Sequence, residues 1–230
     1  MVEHKPTVVA LVGDFLHGFE SAASELLPVV ECAELLAGLP AEHVLFVRGN
    51  HEDEKWGAFV AAWPHPKRKL TALYGSAYSA GPLTMIGFPC LTGCESHWCN
   101  ALGVSELPGD TETWLPEVLA KTGPAGRTLW LMHECPVALP ISHPGVFNVA
   151  WTDAVEKYSP RLTISGHDHD TPRRNNTWHD RYEQTVCVNA GQATKAFHFV
   201  VIDFEFPTAT PSLPARIKVR AYPWNKEITF

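Results

Sequence analysis

Four short apolar runs in this sequence each stop abruptly at polar residues, most of them beside glycine, and that recurrence constrains the fold more than any other feature. They read VALVGD ending at Asp14, LFVRGNHE passing into Asn50, His51 and Glu52, LWLMHE reaching His133, and LTISGHDH carrying His167 and His169. Apolar runs of this length, bounded by turn residues, read as buried strands. In α/β folds the carboxyl ends of strands are where ligands collect, because the sheet fixes the side-chain origins while the loops open outward. Glycine ahead of a polar group lets the backbone turn sharply and approach an ion or a phosphate closely. An Asp, an Asn and several imidazoles form a mixed oxygen and nitrogen donor set, suited to Mn, Fe or Zn rather than to calcium alone. Taken singly, Gly-Asp after a strand is commonly a turn, and a lone His such as His133 is commonly a hydrogen-bonded rim residue. Two imidazoles at i and i+2 after a glycine, as at His167 and His169, have little packing purpose. With all four clusters present, chance is a poor explanation.

The rest of the chain supplies the helices that such strands need. Thr7 to Val12 reads as a strand, Glu20 to Ala37 as a helix with apolar residues at Ala23, Leu26, Leu27, Val30 and Leu35, and Val44 to Val47 as a second strand, which makes a β-α-β unit. Asp53 to Ala62, Thr111 to Ala120 and Trp151 to Lys157 read as helices. Ala77 to Ser79 and Leu83 to Ile86 read as strands meeting at the Gly81-Pro82 turn, and Thr128 to Met132, Leu162 to Ile164, Thr185 to Val188, Phe197 to Phe206 and Arg216 to Ala221 as further strands. The expected fold class is α/β, a mixed sheet or two packed sheets with flanking helices. No repeat, low-complexity tract or charge block marks a second domain, so residues 1–206 read as one domain and 207–230 as a C-terminal extension or its final strand.

Composition narrows the partners. With 230 residues an α/β domain buries a core without needing structural metal. A formal charge of −7 argues against a surface built to grip a phosphate backbone, so no stable nucleic-acid partner is expected. The N-terminal MVEHKP has no long apolar region and the run that follows is too short for a membrane span, so a cytoplasmic protein with no membrane partner is expected, and an oligomer stays open. Six cysteines without Cys-x-x-Cys spacing suit a reducing compartment; Cys90, Cys94, His97 and Cys99 cluster, but in no usual zinc spacing. The composition is unusual in histidine, at 12 residues, the commonest metal-ligand type.

The order Gly-Asp, Gly-Asn-His-Glu, isolated His, Gly-His-x-His resembles the calcineurin-like metallophosphoesterase superfamily. The stretch from GDFLHG to RGNHE looks like the phosphoprotein phosphatase branch, and TLWLMHECP, LTISGHDHD and VCVNAGQ look more like the general phosphoesterases. The resemblance implies a sandwich of two mixed β-sheets flanked by helices. It implies that Asp14 bridges two metal ions, that Asn50, His133 and His167 complete one site and that His169 belongs to the other. It further implies that His51 is the general acid or electrostatic stabiliser, oriented by Glu52 or a neighbour. The implied reaction is hydrolysis of a phosphomonoester or phosphodiester by a metal-bound hydroxide, with one or two divalent ions neutralising developing charge. Arg48 is a candidate to hold the phosphate of a phosphorylated substrate in a bidentate fork, or else a surface ion-pair residue.

One motif of that family, an Asp-x-His on a strand ahead of the Gly-Asp strand, is not found: the thirteen residues before Asp14 offer only Glu3 and His4. The fold is therefore expected to lack the usual first strand, leaving the Thr7 to Val12 strand with an open edge. A longer working protein, a replacement ligand from His4, His17 or His143, a one-metal enzyme and a degenerate homologue all account for it. The rival functional readings are a catalytically impaired metallophosphoesterase-like binding or interaction module, which an open edge would suit, and a zinc site on the cysteine cluster.

Overall fold

The computed structural model describes residues 5–14, 26–50, 63, 69–88, 90, 111–136, 139–145, 147–192, 198–207 and 214–230. In chain order these form β1 (Val8–Leu11), α1 (Leu26–Ala37), β2 (His43–Phe46), β3 (Lys69–Ala72), β4 (Ala77–Ala80), β5 (Leu83–Phe88), α2 (Thr111–Thr122), β6 (Thr128–Met132), α3 (Val149–Tyr158), β7 (Leu162–Ser165), α4 (Thr171–Asn175), β8 (His179–Tyr182), β9 (Thr185–Asn189), β10 (Phe199–Glu205), β11 (Arg216–Tyr222) and β12 (Lys226–Thr229). The expected helix at Asp53 to Ala62 lies outside the described residues, as does the start of the expected Glu20 to Ala37 helix.

The strands form a parallel sheet β1-β2-β3, a mixed sheet β4-β5-β6-β7-β9-β8 and an antiparallel sheet β10-β11-β12. Alternation along the six-stranded sheet explains the layers. On β6, Leu129 and Leu131 face a core shared with Leu45 and Val47 at β2 and with Ile217, Val219 and Ala221 on β11. The alternate residues Trp130 and Met132 face the opposite way, onto Trp114 and Leu115 of α2 and Trp151, Ala154 and Val155 of α3. One face of the large sheet thus meets the smaller sheets and the other is covered by helices, which is the mixed α/β architecture expected. Aromatic rings fill the helix side: Phe88 sits 4.5 Å from Trp130 and 5.2 Å from both Trp114 and Trp151, centroid to centroid.

Among the described residues β1 pairs on one side only, with β2. β11 pairs along its whole length with β10, and three of its side chains sit in the shared core. Three strands and a helix were not legible beforehand. β8 (HDRY) and β12 (KEIT) are end strands with little burial, so they carry no apolar alternation. β3 (KLTA) has one large apolar residue in four. Pairing makes these segments strands, and pairing is not written in local periodicity. α4 is a single short helix with Pro172 in its first turn.

No described helix is long and apolar enough to cross a membrane.

Candidate metal centre

The ends of β1, β2, β6 and β7 meet because backbone bonds carry the pairing beyond the named strands. Val47 N–H donates to Leu11, Cys90 to Arg48, His133 to Phe88 and Gly166 to His133. This alignment brings four sequence clusters, distant along the chain, to one edge. Gly13 approaches this junction closely, with φ +92°: a Cβ there would lie 2.3 Å from His133 Nδ1 and 2.7 Å from the Gly49 backbone. Only a residue without a side chain fits that junction.

His133 is fully buried and sits at the middle of the cluster. Its Nδ1 lies 2.8 Å from the Val12 carbonyl, so that nitrogen carries the proton and donates, which leaves the Nε2 lone pair facing inward. Around Nε2 stand Asn50 Oδ1 at 3.0 Å, His167 Nδ1 at 3.1 Å and Asp14 Oδ2 at 3.5 Å. His167 Nδ1 is 3.9 Å from the same Asp14 oxygen. Donor atoms bound at about 2.0–2.2 Å to one ion are separated by about 3.0 Å as octahedral neighbours and about 3.4 Å as tetrahedral ones. The observed spacings suit that geometry, and one carboxylate, one amide oxygen and two imidazoles are ligands for a divalent transition ion. The Asp14, His133 and His167 donor atoms all lie within 4.8 Å of one another.

Two of these residues are held in a costly backbone conformation. Asp14 has φ +54° and His167 has φ +62°, each in the left-handed region that side chains other than glycine rarely occupy. Such strain costs about 1–3 kcal/mol per residue and persists where the surroundings over-determine it. Here it turns both side chains toward His133. Asp14 keeps only 7% of its side chain exposed and His167 keeps 27%. The Asp14 carboxylate, as hydrogen-bond acceptor for the His167 ring, raises the His167 pKa above its ordinary value, against the opposing effect of burial, with the charges of Asp14, Glu134 and Asp168 adding.

The structure therefore brings Asp14, Asn50, His133 and His167 together. His51 and Glu52 lie outside the described residues, as do His4, His17, Cys94, His97 and Cys99. His169 has an exposed side chain and is not part of the described cluster. His143, a reserve ligand by sequence, also stands apart from it; its ring accepts from Gly145 N–H. Arg48 is not a surface ion-pair residue: it is fully buried and donates to the Cys90 carbonyl at 2.8 Å, bracing the end of β2.

Sequence reading passed over the residues that hold the loops. Glu134 accepts from Asn148 Nδ2, and Asn148 Oδ1 caps α3 through Ala150 N–H, so the turn after His133 is tied to a helix start. Asp168, the spacer in Gly-His-Asp-His, accepts from the backbone N–H groups of His143, Thr171 and Asp170. Burial alone would raise its pKa, but these amides and the Thr171 hydroxyl bring it below the ordinary value. The elements that Asp168 ties together border a cavity of about 310 Å³, lined by His143, Pro144, Thr171 and Arg174 among others. The signal for Asp168 was its place between two histidines in a polar turn.

A family profile described as calcineurin-like phosphoesterase matches residues 2–171. Two solved structures share the fold. The protein TT1561 of Thermus thermophilus is similar with a TM-score of 0.53 and 12% identity, over 97% of this chain and 85% of that one. A dimetal phosphatase from Danio rerio is similar with a TM-score of 0.51 and 10% identity, over 97% of each chain. None of the curated proteins matches.

Proposed function

This chain belongs to the calcineurin-like phosphoesterase family, and from that premise we propose that it hydrolyses a phosphomonoester or phosphodiester at a divalent-metal centre held by Asp14, Asn50, His133 and His167. The observation that carries the reading is the convergence of Asn50 Oδ1, His167 Nδ1 and Asp14 Oδ2 on the inward lone pair of His133. Mn, Fe or Zn suits these donors, and such an ion supplies Lewis acidity toward the phosphoryl oxygen and lowers the pKa of a coordinated water. His133 contributes a neutral nitrogen of defined tautomer, because Val12 takes its other proton. Asp14 contributes the negative charge, and its near-complete burial keeps that charge poorly screened by water. His169, exposed on the same turn as His167, is assigned to a second ion; the similarity to a dimetal phosphatase supports that assignment. His51, next in sequence after Asn50, is assigned to protonate the leaving oxygen, with Glu52 orienting its ring. Arg48 is assigned the bracing role.

The test is a panel of phosphomonoesters and phosphodiesters assayed with Mn, Zn and Mg. Turnover with at least one metal is expected, abolished by chelation and reduced by at least about 100-fold in Asp14→Ala, since even residues that only support a ligand change affinity or activity by about 10–100-fold. A protein that takes up no divalent ion and turns over no ester overturns the proposal. Tight metal binding without turnover of any ester favours the binding module instead.

A further inference from the structure

The VCVNAGQ segment that ends β9 is spent on the loop carrying His167 and His169. Asn189 is 1% exposed, and its amide faces three carbonyls. Nδ2 lies 3.0 Å from Ile141 O, 3.0 Å from Asp168 O and 3.4 Å from Gly166 O, while Oδ1 accepts from Gly191 N–H at 2.9 Å. A carboxamide has two N–H donors on one nitrogen and an acceptor on the other branch, the combination this pocket of carbonyls and one amide requires. A carboxylate of the same shape would set unprotonated oxygen against the carbonyls.

The carbonyls of Gly166 and Asp168 bracket His167. Asp168 N–H also donates to Gly166 O at 2.7 Å, closing a three-residue turn with His167 at its centre and φ +62°. A turn of this size with positive φ at its centre is rare and strained. Its neighbour is gripped in parallel: Gln192 N–H donates to His169 O at 3.1 Å, and Gly191, at φ +66°, passes so close that a Cβ would lie 2.9 Å from that oxygen. The far side of the segment is anchored in turn, since Ala190 O accepts from Trp224 Nε1 at 3.1 Å and from His198 Nδ1 at 2.9 Å.

We infer that Asn189 is a positioning residue for the metal centre: by holding the carbonyls on both sides of His167 it keeps that residue in its strained turn, with Nδ1 aimed at Asp14 and His133. The inference rests on the proposed metal-binding role of those three residues. It assigns to Asn189 no contact with substrate or ion.

Cobalt binding tests it without any turnover measurement. The full chain is titrated with Co²⁺ and followed by its visible absorption, which reports ligand number and geometry. Wild type is expected to bind. Asn189→Ala, checked for folding by circular dichroism, is expected to bind about 10–100-fold more weakly, with an altered visible band. Ile217→Ala, a core substitution remote from the centre, controls for general destabilisation: it lowers the thermal midpoint but keeps the cobalt affinity and band of wild type. Should Asn189→Ala fail to fold, Asn189→Ser, which keeps one donor and one acceptor, carries the test by the same criteria. A folded Asn189 variant with wild-type affinity and band overturns the inference and leaves the metal centre standing. A wild-type protein that takes up no cobalt overturns both.

Discussion

The strand ends that carry Asp14, Asn50, His133 and His167 and the outer strands β8 and β10–β12 spend their polar groups in opposite ways. At the strand ends, buried polar groups converge on one point and two residues sit in left-handed backbone. On the outer strands the charges lie at the surface in separate pairs, Arg220 with Asp203 at 2.7 Å and Lys218 with Glu227 at 3.2 Å, above an apolar underside of Ile217, Val219 and Ala221. The comparison teaches which region stores strain for function and which supplies stability. Exposed pairs contribute about 0.2–1 kcal/mol each, whereas burying an aliphatic side chain contributes about 1.5–3 kcal/mol. The outer sheet therefore stabilises through its hidden face, and the strand ends spend part of that stability on holding Asp14 and His167 in place.

Substitutions at each region sharpen that contrast. Gly13→Ala is expected to have the largest effect, because positive φ costs about 1–3 kcal/mol and overpacking against His133 and Gly49 adds about as much again. Chemical denaturation should show the loss, and metal affinity should fall with it; a variant of wild-type stability would break the assignment of strain to this junction. Ile217→Ala is expected to cost about 2–5 kcal/mol by the same measurement while leaving metal affinity intact.

His179 on β8 gives a smaller, pH-dependent effect. Burial lowers its pKa below the ordinary 6.5, helped by Arg181 and Lys226 and opposed by Asp180. The unfolded chain takes up that proton more readily than the folded one, so this contribution is complete above the unfolded pKa and is lost as pH falls toward the folded value. The urea midpoint should drop between pH 7 and pH 5, and the drop should be smaller in His179→Gln; an identical drop in both proteins would show that His179 is not its source. Arg220→Ala is expected to cost least, under about 1 kcal/mol, and less still in high salt. A larger loss that shrinks in high salt would mean that the outer sheet depends on its surface charges after all.

Much of this arrangement was legible in local sequence where burial imposes a period. β6, TLWLM, is buried along its length and was readable to the residue, and the four polar clusters identified the strand ends that meet. Gly13 and Gly166 signalled close backbone approach, and the structure places both against neighbouring strands. The outer strands β8 and β12 were not legible, because an end strand with one partner and an open face has no apolar alternation to display. Asp168 and Asn189 were overlooked for a related reason. Their partners are backbone carbonyls and amides, which every residue carries, so no side-chain pattern names those partners.

Sequence alone determined the family resemblance, the α/β class and the donor types at the strand ends, since each depends on residue chemistry and spacing along the chain. Tertiary structure decided that Asp14, Asn50, His133 and His167 form one cluster, which nitrogen of His133 faces it, and that Arg48 is an internal brace. Those outcomes depend on distances between residues far apart in sequence, set by strand order and backbone hydrogen bonds that local composition does not encode.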